Sequence, residues 1–329
     1  MQRTRGRWGI GVGIFLVGLL AATIVLPWAM RPRLNAPSGS SVIVFSSSDP
    51  KLGGEQLFAS TGHGEPPVRV TESIRRISPW LPLPNPFGSS TLNRNSHPST
   101  TPGVITFVSN LGGEDTLYQI DIDGRNQRRL DVLIDEQPLA TLSPDGAWVA
   151  IQYGDRERTL TVRRRDGTAA WCLSCEHAGF VGDVAWSPDS QQLAYGWGDG
   201  TTSGIFIASV LTRDFRQVTP PALPVGGPSW SPDGTHLVFA ASTTATTSQI
   251  FTIRLDGTEL QQLTATAPTL PAGRVVQGGA AWSPDGTRIA FTTTRHGGSD
   301  IYVINCDGTG EPRVTWSGRN YDPTWVQMP

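Results

Sequence analysis

Trp230-Ser231-Pro232-Asp233-Gly234 is the stretch that decides the fold, because it returns as Trp282-Ser283-Pro284-Asp285-Gly286 and, without the glycine, as Trp186-Ser187-Pro188-Asp189. In this sequence proline presets the φ of a type I turn, aspartate bonds its own backbone, and glycine takes the position with positive φ. An alternating apolar run follows the turn, as in Leu237-Val238-Phe239-Ala240. Each copy is therefore predicted to close a hairpin between two antiparallel strands.

Each hairpin belongs to a longer unit of four short strands. A third run, Gln249 to Ile253, is followed by the turn Asp256-Gly257-Thr258 and by a fourth run that ends at Leu263-Thr264. Degenerate copies of the turn, Leu142 to Gly146 and Pro98 to Gly103, extend the series. The tryptophan positions and their equivalents are 42 to 52 residues apart, at 100, 142, 186, 230, 282 and 325. A four-stranded repeat of about 40–45 residues is typical of a β-propeller blade.

The two ends of the chain predict the number of blades. Three strand-like runs near the start, Val42 to Phe45, Gln56 to Ala59 and Val68 to Thr71, have no tryptophan strand before them. Tyr321 to Val326, at the other end, is a tryptophan strand with no strand after it. If this C-terminal strand completes the first blade, the ring closes and two free edges disappear. We therefore predict an all-β fold, a six-bladed β-propeller over residues 42–326.

These repeats resemble the WD40-like repeats of TolB-type six-bladed propellers. The resemblance rests on the Trp-Ser-Pro-Asp-Gly turn, on Ile301-Tyr302-Val303 before Asp307-Gly308-Thr309, and on the Leu263-Thr264 ending, and it covers about residues 40–329. It implies that the tryptophan strands are innermost and that the repeated tryptophans form core between blades: Trp186, Trp230, Trp282 and Trp325. It says little about function, because this architecture hosts scaffolds, receptors and accessory domains of peptidases.

The N-terminal segment predicts a membrane anchor. Residues 8–30 contain no charged side chain, and as a helix they would rise roughly 34 Å, enough to span a hydrocarbon core of about 30 Å. Arg3, Arg5 and Arg7 favour a cytoplasmic tail at residues 1–7 and an exported propeller. A cleaved signal peptide is the alternative, but residues 27–30 make a poor cleavage site. We predict a single-pass signal-anchor at 8–30, a linker at 31–41, and a propeller on the periplasmic or extracellular side of the cell membrane.

The charge of the predicted exported part argues against two classes of ligand. The chain has 26 Lys and Arg and 28 Asp and Glu, and five of the arginines lie within the first 33 residues. The remainder carries 21 basic and 28 acidic residues, which is a formal charge of −7. An acidic domain of this kind argues against nucleic acid and against anionic lipid.

A proline-rich insertion is predicted between blades one and two, at about residues 72–98. Residues 42 to 104 exceed the usual repeat by roughly 18 residues. Within residues 78–87, Pro79, Pro82, Pro84 and Pro86 disfavour helix and central strand and favour extended polyproline II. One interpretation is a long loop that packs on the ring. The other is an exposed partner-binding segment, with Trp80, Leu83 and Phe87 as the candidate contacts.

Cys172 and Cys175 form the most specific chemical motif of the chain. In an exported protein this Cys-x-x-Cys spacing favours a local disulfide after blade three. Reduced thiols, a redox pair, or a partial metal site with His177 are the alternatives, although a zinc site needs four ligands and no second cysteine pair exists. Cys306 is then left over, and its position at a strand end suggests a packed thiol.

A candidate ligand site lies where the six innermost strands begin. If the tryptophan strands are innermost, as the resemblance implies, the residues three before each tryptophan position surround the channel mouth: His97, Leu139, Asp183, Gly227, Gly279 and Asp322. His97, Asp183 and Asp322, with Glu136 and Asn320 close by, could there bind a cation or a cationic group. Aspartate and asparagine are also ordinary turn formers at strand starts, which is the alternative. We predict no resident metal and no cofactor.

Together these features favour a membrane-anchored, exported propeller that binds a protein or peptide as a scaffold or sensor ectodomain and is not an enzyme. The blades use residues 42–326, and the sequence contains no Gly-x-Ser-x-Gly motif of the kind found in propeller-bearing peptidases. One alternative is a metal-dependent hydrolase of the lactonase or esterase kind in the channel. Another is carbohydrate binding through tryptophans: Trp80, Trp171, Trp197 or Trp316.

Overall fold

The computed structural model shows a ring of short antiparallel sheets. It describes residues 34, 36–48, 55–62, 65–71, 95–101, 103–110, 116–130, 139–153, 159–175, 179–221, 223, 225–244, 246–265 and 277–329. These residues include no helix that could cross a membrane. The predicted anchor at 8–30 lies outside them, as do insertion residues 72–94, with Trp80, Leu83 and Phe87, and also Glu136.

Six sheets, one for each predicted blade, contain the strands of the described residues. The first three blades contain β1 (Ser41–Ser47), β2 (Gln56–Ser60) and β3 (Val68–Arg69); β4 (Asn95–Thr101), β5 (Val104–Ser109), β6 (Thr116–Asp121) and β7 (Arg128–Arg129); and β8 (Leu139–Leu142), β9 (Trp148–Tyr153), β10 (Thr159–Arg164) and β11 (Ala170–Cys172). The next three contain β12 (Phe180–Trp186), β13 (Gln192–Gly198), β14 (Ser203–Ser209) and β15 (Phe215–Gln217); β16 (Val225–Trp230), β17 (His236–Ser242), β18 (Ser248–Arg254) and β19 (Gln261–Gln262); and β20 (Gln277–Trp282), β21 (Arg288–Thr293) and β22 (Asp300–Asn305). The last strand, β23 (Asn320–Gln327), returns to blade one.

The last strand closes the ring. β23 pairs antiparallel with β1, so that Trp325 lies opposite Ile43 and Val326 lies opposite Val42. The order of blade one is therefore β23, β1, β2 and β3. The predicted all-β fold of six blades, with the C-terminal strand completing the first, is confirmed. Because the last strand pairs with the first, blade one is a complete four-stranded sheet.

The Ser-Pro-Asp-Gly turns share one hydrogen-bond network. In blade five the hydroxyl of Ser231 donates to Asp233 Oδ1 at 2.6 Å, and Oδ1 accepts the N–H of Thr235 at 3.1 Å. Ser231 Oγ also accepts the N–H of His236 at 2.9 Å, which ties the turn to the following strand. Blades three, four and six repeat these contacts through Ser143, Ser187 and Ser283. The turn is thus specified by local side-chain chemistry.

The Leu263-Thr264 ending and its equivalents in other blades anchor the short outermost strands. Thr264 Oγ1 accepts the N–H of Ile250 at 2.9 Å and donates to Gln249 Oε1 at 2.8 Å. The same bond, from a backbone N–H to a side-chain hydroxyl, recurs in four other blades, at Thr71, Ser174, Thr219 and Thr315. A fourth strand of two or three residues is held in this way by a buried side-chain bond as well as by its ladder.

The repeated tryptophans join neighbouring blades. The indole Nε1 of Trp186 donates to the carbonyl of Thr141 at 3.2 Å, and that of Trp230 donates to Ala185 at 3.1 Å. Both side chains are buried, at 8% and 7% exposure. Trp282 packs against the core between blades five and six, but its Nε1 has no partner of this kind. Each of these four tryptophan strands therefore supplies apolar surface to the adjacent blade, and three of them add a hydrogen bond.

Candidate ligand site in the axial channel

A β-bulge shapes most of the inner strands. In blade five, Gly226 pairs with Ala240 and Ser229 pairs with Val238, so Gly227 and Pro228 together face the single residue Phe239. Blades one, two and six have the same arrangement, and the facing residue is again a fully buried phenylalanine: Phe45, Phe107 and Phe291. A bulge accepts proline inside an inner strand because the bulged residue leaves the ladder. This explains Pro98, Pro228 and Pro323.

Three bulged residues have left-handed backbones and lie next to one another around the channel. Their φ values are +54° at Gly227, +50° at Gly279 and +51° at Asp322. A Cβ added at Gly227 would lie 3.7 Å from the backbone nitrogen of Gly279, and one added at Gly279 would lie 3.4 Å from Cα of Asp322. Aspartate is one of the few residues besides glycine that tolerate this conformation. The bulges thus bring three of the predicted ring positions together.

Asp183 joins this group through a bulge that is displaced by one residue relative to the bulges of the other blades. In blade four, Val181 pairs with Trp197 and Val184 pairs with Tyr195, so Gly182 and Asp183 face Gly196. Oδ2 of Asp183 lies 3.4 Å from the position that a Cβ on Gly227 would occupy. Asp183 and Gly227 are therefore neighbours on the channel wall.

Three residues that sequence reasoning missed place the bulge of blade four. The buried side chain of Gln152, in blade three, donates its amide to the carbonyl of Gly182. A Cβ on Gly182 would lie 3.6 Å from the carbonyl oxygen of Gly196, and one on Gly196 would lie equally close to that of Val225. Glycine in a strand interior is a signal for a bulge or a close backbone approach, and it could have identified Gly182 and Gly196. Gln152 carries no such signal.

The inner strands surround a cavity of about 340 Å³. Its wall includes Asp183, Gly227, Gly279 and Asp322 together with the repeated tryptophans. Among the described residues that line it, Asp183 and Asp322 are the ones with a charged side chain. The cavity is therefore a mainly uncharged channel with carboxylates on one part of its wall.

The other predicted ligand residues are placed differently. His97 lies at the bulge of β4, but its side chain is outside the described part of the structure, as is the whole of Glu136. Asn320 is 3% exposed and does not contribute to the cavity. Its amide donates to Ser317 Oγ at 2.7 Å and to Asp300 Oδ1 at 3.3 Å. The side chain of Asn320 thus satisfies a buried carboxylate in blade six.

That carboxylate is the buried member of an ion pair with the partly exposed Arg313. Asp300 Oδ2 accepts from Arg313 Nη2 at 2.6 Å, and the side chain of Asp300 is 2% exposed. Oδ1 accepts from the hydroxyl of Thr315 at 3.0 Å and from the N–H of Gly318 at 3.1 Å. Blade five has a neutral glutamine, Gln249, at the position of Asp300. The ion pair is therefore a variant of the hydrogen bonds that anchor the outermost strands in other blades. It is not part of the channel.

The cysteines separate into a bonded pair and an exposed thiol. Cys172 and Cys175 are joined by a disulfide, with their Cα atoms 5.6 Å apart, at the end of β11. Cys306 is exposed, so the packed thiol expected from its position at a strand end is wrong. The physical reason is that Cys306 already lies in the turn after β22, where its N–H bonds the carbonyl of Thr287 but its side chain faces outward.

No group of three or more His, Cys, Asp or Glu side chains within the described residues is arranged to hold a metal ion. Of the tryptophans considered for carbohydrate binding, Trp171 and Trp197 pack against the core of blades three and four, whereas Trp316 is 60% exposed. Trp80 lies outside the described residues.

A closed ring of six antiparallel blades around an axial cavity defines this protein as a six-bladed β-propeller. The model of the TolB beta propeller domain matches residues 147–328, which is more than half of the chain, and the chain belongs to this family. The resemblance inferred from the repeats is thereby confirmed.

Individual relatives are more distant. The Tol-Pal system protein TolB of Anaeromyxobacter dehalogenans (strain 2CP-C) is 30% identical over 100 residues, which are 30% of this chain and 21% of that protein. The match thus spans about a fifth of that curated relative. The crystal structure of TolB from Acinetobacter baumannii has a TM-score of 0.68 at 14% identity, over 88% of this chain and 67% of that one. A structure assigned as TolB from Agrobacterium tumefaciens has a TM-score of 0.58 at 17% identity, over 89% and 100%. At these identities the two structures show a common fold.

Proposed function

We propose that this chain is an exported, membrane-anchored propeller that binds a segment of a protein partner in its axial channel and catalyses no reaction. The observation that carries the proposal is the cavity of about 340 Å³ on the propeller axis. Cavities of about 300–1,000 Å³ are the usual size of ligand sites. A few side chains of a peptide would fill this one.

The wall of the channel suits a peptide. Main chain is accessible at Gly227 and Gly279, and the tryptophans provide apolar surface beside it. Peptides are commonly recognised through backbone contacts combined with pockets for side chains. The name of the relative from Anaeromyxobacter dehalogenans, a Tol-Pal system protein, supports a partner that is itself a protein.

Export and anchoring complete the proposal. We assign residues 1–7 to a cytoplasmic tail, 8–30 to a transmembrane anchor, 31–41 to a linker and 42–326 to a propeller in the periplasm or outside the cell. The disulfide between Cys172 and Cys175 supports an oxidising compartment. We further propose that the proline-rich insertion at residues 72–98 is a second contact for the partner, through Trp80, Leu83 and Phe87.

A matched pair of substitutions tests the channel. Thr141 lines the cavity, whereas Thr212 is exposed in the turn between β14 and β15. Thr141→Trp places a large side chain at the wall of the channel, and Thr212→Trp adds the same side chain elsewhere. Both full-length variants, and one lacking residues 77–95, are purified by affinity from detergent-solubilised membranes, and co-purifying proteins and bound metal are measured.

The expected result is a stoichiometric protein partner that is lost with Thr141→Trp and kept with Thr212→Trp, while the thermal unfolding midpoints of both variants agree. Loss of the partner in the deletion variant would support the second contact. A partner retained by Thr141→Trp contradicts binding in the channel. About one equivalent of bound metal together with hydrolase turnover contradicts a non-catalytic role and favours the metal-dependent hydrolase.

A further inference from the structure

We infer that the channel selects a basic residue, lysine or arginine, in the segment it binds, and that Asp183 accepts its charge. This inference rests on the proposed binding of a peptide in the channel and adds the chemistry of the bound residue. Its first support is charge complementarity. Asp183 and Asp322 are the charged residues among the described residues of the cavity wall, and no described Lys, Arg or His side chain lines it.

Charge decides which residue fits best. Transfer of an ionised group from water into a protein cavity is unfavourable unless an opposite charge and hydrogen bonds compensate it. An acidic peptide residue would meet carboxylates here, and an apolar residue would cover the exposed Asp183 and remove its water without replacing the lost hydrogen bonds. A guanidinium or ammonium group provides both the opposite charge and the hydrogen-bond donors.

The glycines leave room for such a group beside the carboxylate. A Cβ on Gly227 would lie only 3.4 Å from Asp183 Oδ2, so any side chain at 227 would occupy the approach to this oxygen. The φ of +54° also makes a substitution at 227 strained. Gly279 continues this side-chain-free wall. A long, narrow side chain can therefore reach Asp183 along the backbone of the two bulges.

The backbone that carries Asp183 is held in place before a ligand arrives, while its side chain is exposed to the channel. The bulge at Gly182 and Asp183 is bonded to Gln152 and packed closely against Gly196. A backbone that is fixed in advance reduces the ordering cost of binding. Val184 and Trp186, which follow Asp183 in the cavity wall, supply apolar surface. The methylene groups of lysine or arginine can lie on such surface while the charged head is bonded.

Selection from a peptide library tests the inference. Random dodecapeptides displayed on phage are selected on the immobilised full-length protein in detergent, and an enriched peptide is then synthesised. It is measured by isothermal titration against wild type, Asp183→Asn and the control Asp214→Asn, which removes an exposed carboxylate in the turn after β14. A second peptide has norleucine in place of its basic residue.

The expected result is enrichment of Lys or Arg and a loss of affinity of about tenfold or more in Asp183→Asn, with no change in Asp214→Asn. The norleucine peptide should bind wild type as weakly as the basic peptide binds Asp183→Asn. When the norleucine peptide is measured against Asp183→Asn, the affinity should fall little further. Equal thermal midpoints of the two variants would show that the loss is not one of folding.

Three outcomes would overturn the inference. If enriched peptides lack basic residues, or if Asp183→Asn binds as tightly as wild type while Thr141→Trp does not bind, the basic residue is wrong and channel binding stands. If EDTA abolishes binding, Asp183 acts through a metal ion. If no peptide is enriched, or if Thr141→Trp binds normally, peptide binding in the channel fails as well.

Discussion

Trp325 donates its indole Nε1 to the carbonyl oxygen of Ala281 at 3.1 Å, and this bond joins the last strand of the chain to blade six. The tryptophan is 3% exposed and packs in the core between blades six and one. This side chain therefore contributes both apolar area and a hydrogen bond to the contact between the last strand and blade six.

Removal of this side chain should weaken the whole ring. Trp325→Ala is expected to lower the free energy of unfolding by about 3–5 kcal/mol, because it leaves a cavity between two blades. Trp316→Ala is the matched control, since Trp316 is 60% exposed, and it should change stability by less than about 0.5 kcal/mol. Denaturant unfolding of the detergent-solubilised chain measures both. Equal effects of the two substitutions would contradict closure through Trp325.

Ser190 occupies the glycine position of a Ser-Pro-Asp-Gly turn, with a φ of +62°. Its hydroxyl accepts the N–H of Asp145 at 3.0 Å and so links the turns of blades four and three. Ser190→Ala should destabilise the protein by about 1–3 kcal/mol, because it orphans this donor and keeps the left-handed strain. Ser190→Gly orphans the same donor but relieves the strain, so it should be about 1 kcal/mol more stable than the alanine variant. The reverse order in denaturant unfolding would show that the strain is unimportant.

The ion pair of Asp300 and Arg313 can be replaced by the residues of blade five. Asp300→Ala leaves Arg313 without its carboxylate and should cost about 3–5 kcal/mol. Gln249 and Gln262 of blade five occupy the corresponding positions, and Gln262 donates to the carbonyl of Thr264 as Arg313 does to that of Thr315. A double variant, Asp300→Gln with Arg313→Gln, should therefore be more stable than Asp300→Ala. A double variant that is less stable would mean that blade six requires the charges.

Stability should fall in acid because turn aspartates are more acidic than usual. Hydrogen bonds from the backbone of Thr202, and from the side chain and backbone of Thr201, lower the pKa of Asp199 from 3.8 to about 2. A depressed pKa in the folded state means that the stabilisation is complete above about pH 5 and is lost as the pH falls through the folded pKa. The pKa is lowered likewise at Asp145, Asp166, Asp233, Asp256, Asp285 and Asp307.

Asp199→Asn measures the contribution of one such turn. The variant should be less stable than wild type at pH 6, and the difference should shrink as the pH falls from about 5 to about 2, where half of the wild-type carboxyl is protonated. Denaturant midpoints measured from pH 6 to pH 2 provide the test. A difference that stays constant over this range would assign the effect of the substitution to shape and not to charge.

Thiol chemistry should distinguish the cysteines. Alkylation of the folded protein is expected to label Cys306 alone, because it is exposed and the other two are bonded. Reduction under denaturing conditions should raise the count to three, as measured by mass spectrometry. Replacement of Cys172 and Cys175 by serine should cost about 2 kcal/mol, since the disulfide closes a short loop, whereas Cys306→Ser should be nearly neutral. Three labels without reductant would exclude the disulfide.

The sequence by itself was sufficient for the architecture. The Ser-Pro-Asp-Gly turns, the Leu-Thr endings and the spacing of the tryptophans predicted six blades and their closure by Tyr321 to Val326, and the structure agrees. These signals were readable because each depends on residues close together in the chain. A serine, an aspartate and a glycine form their turn wherever it lies in the ring.

Only the tertiary structure decided which of the candidate ligand residues lie on the same part of the channel wall. The sequence grouped Asn320 with Asp183 and Asp322, yet Asn320 turns into blade six and binds Asp300. The one-residue displacement of the bulge in blade four, and with it the approach of Asp183 to Gly227, depends on contacts with Gln152 and Val225 in the adjacent blades. Such contacts join residues about 30 or more positions apart, and their geometry arises from close packing between blades, which a local pattern does not encode.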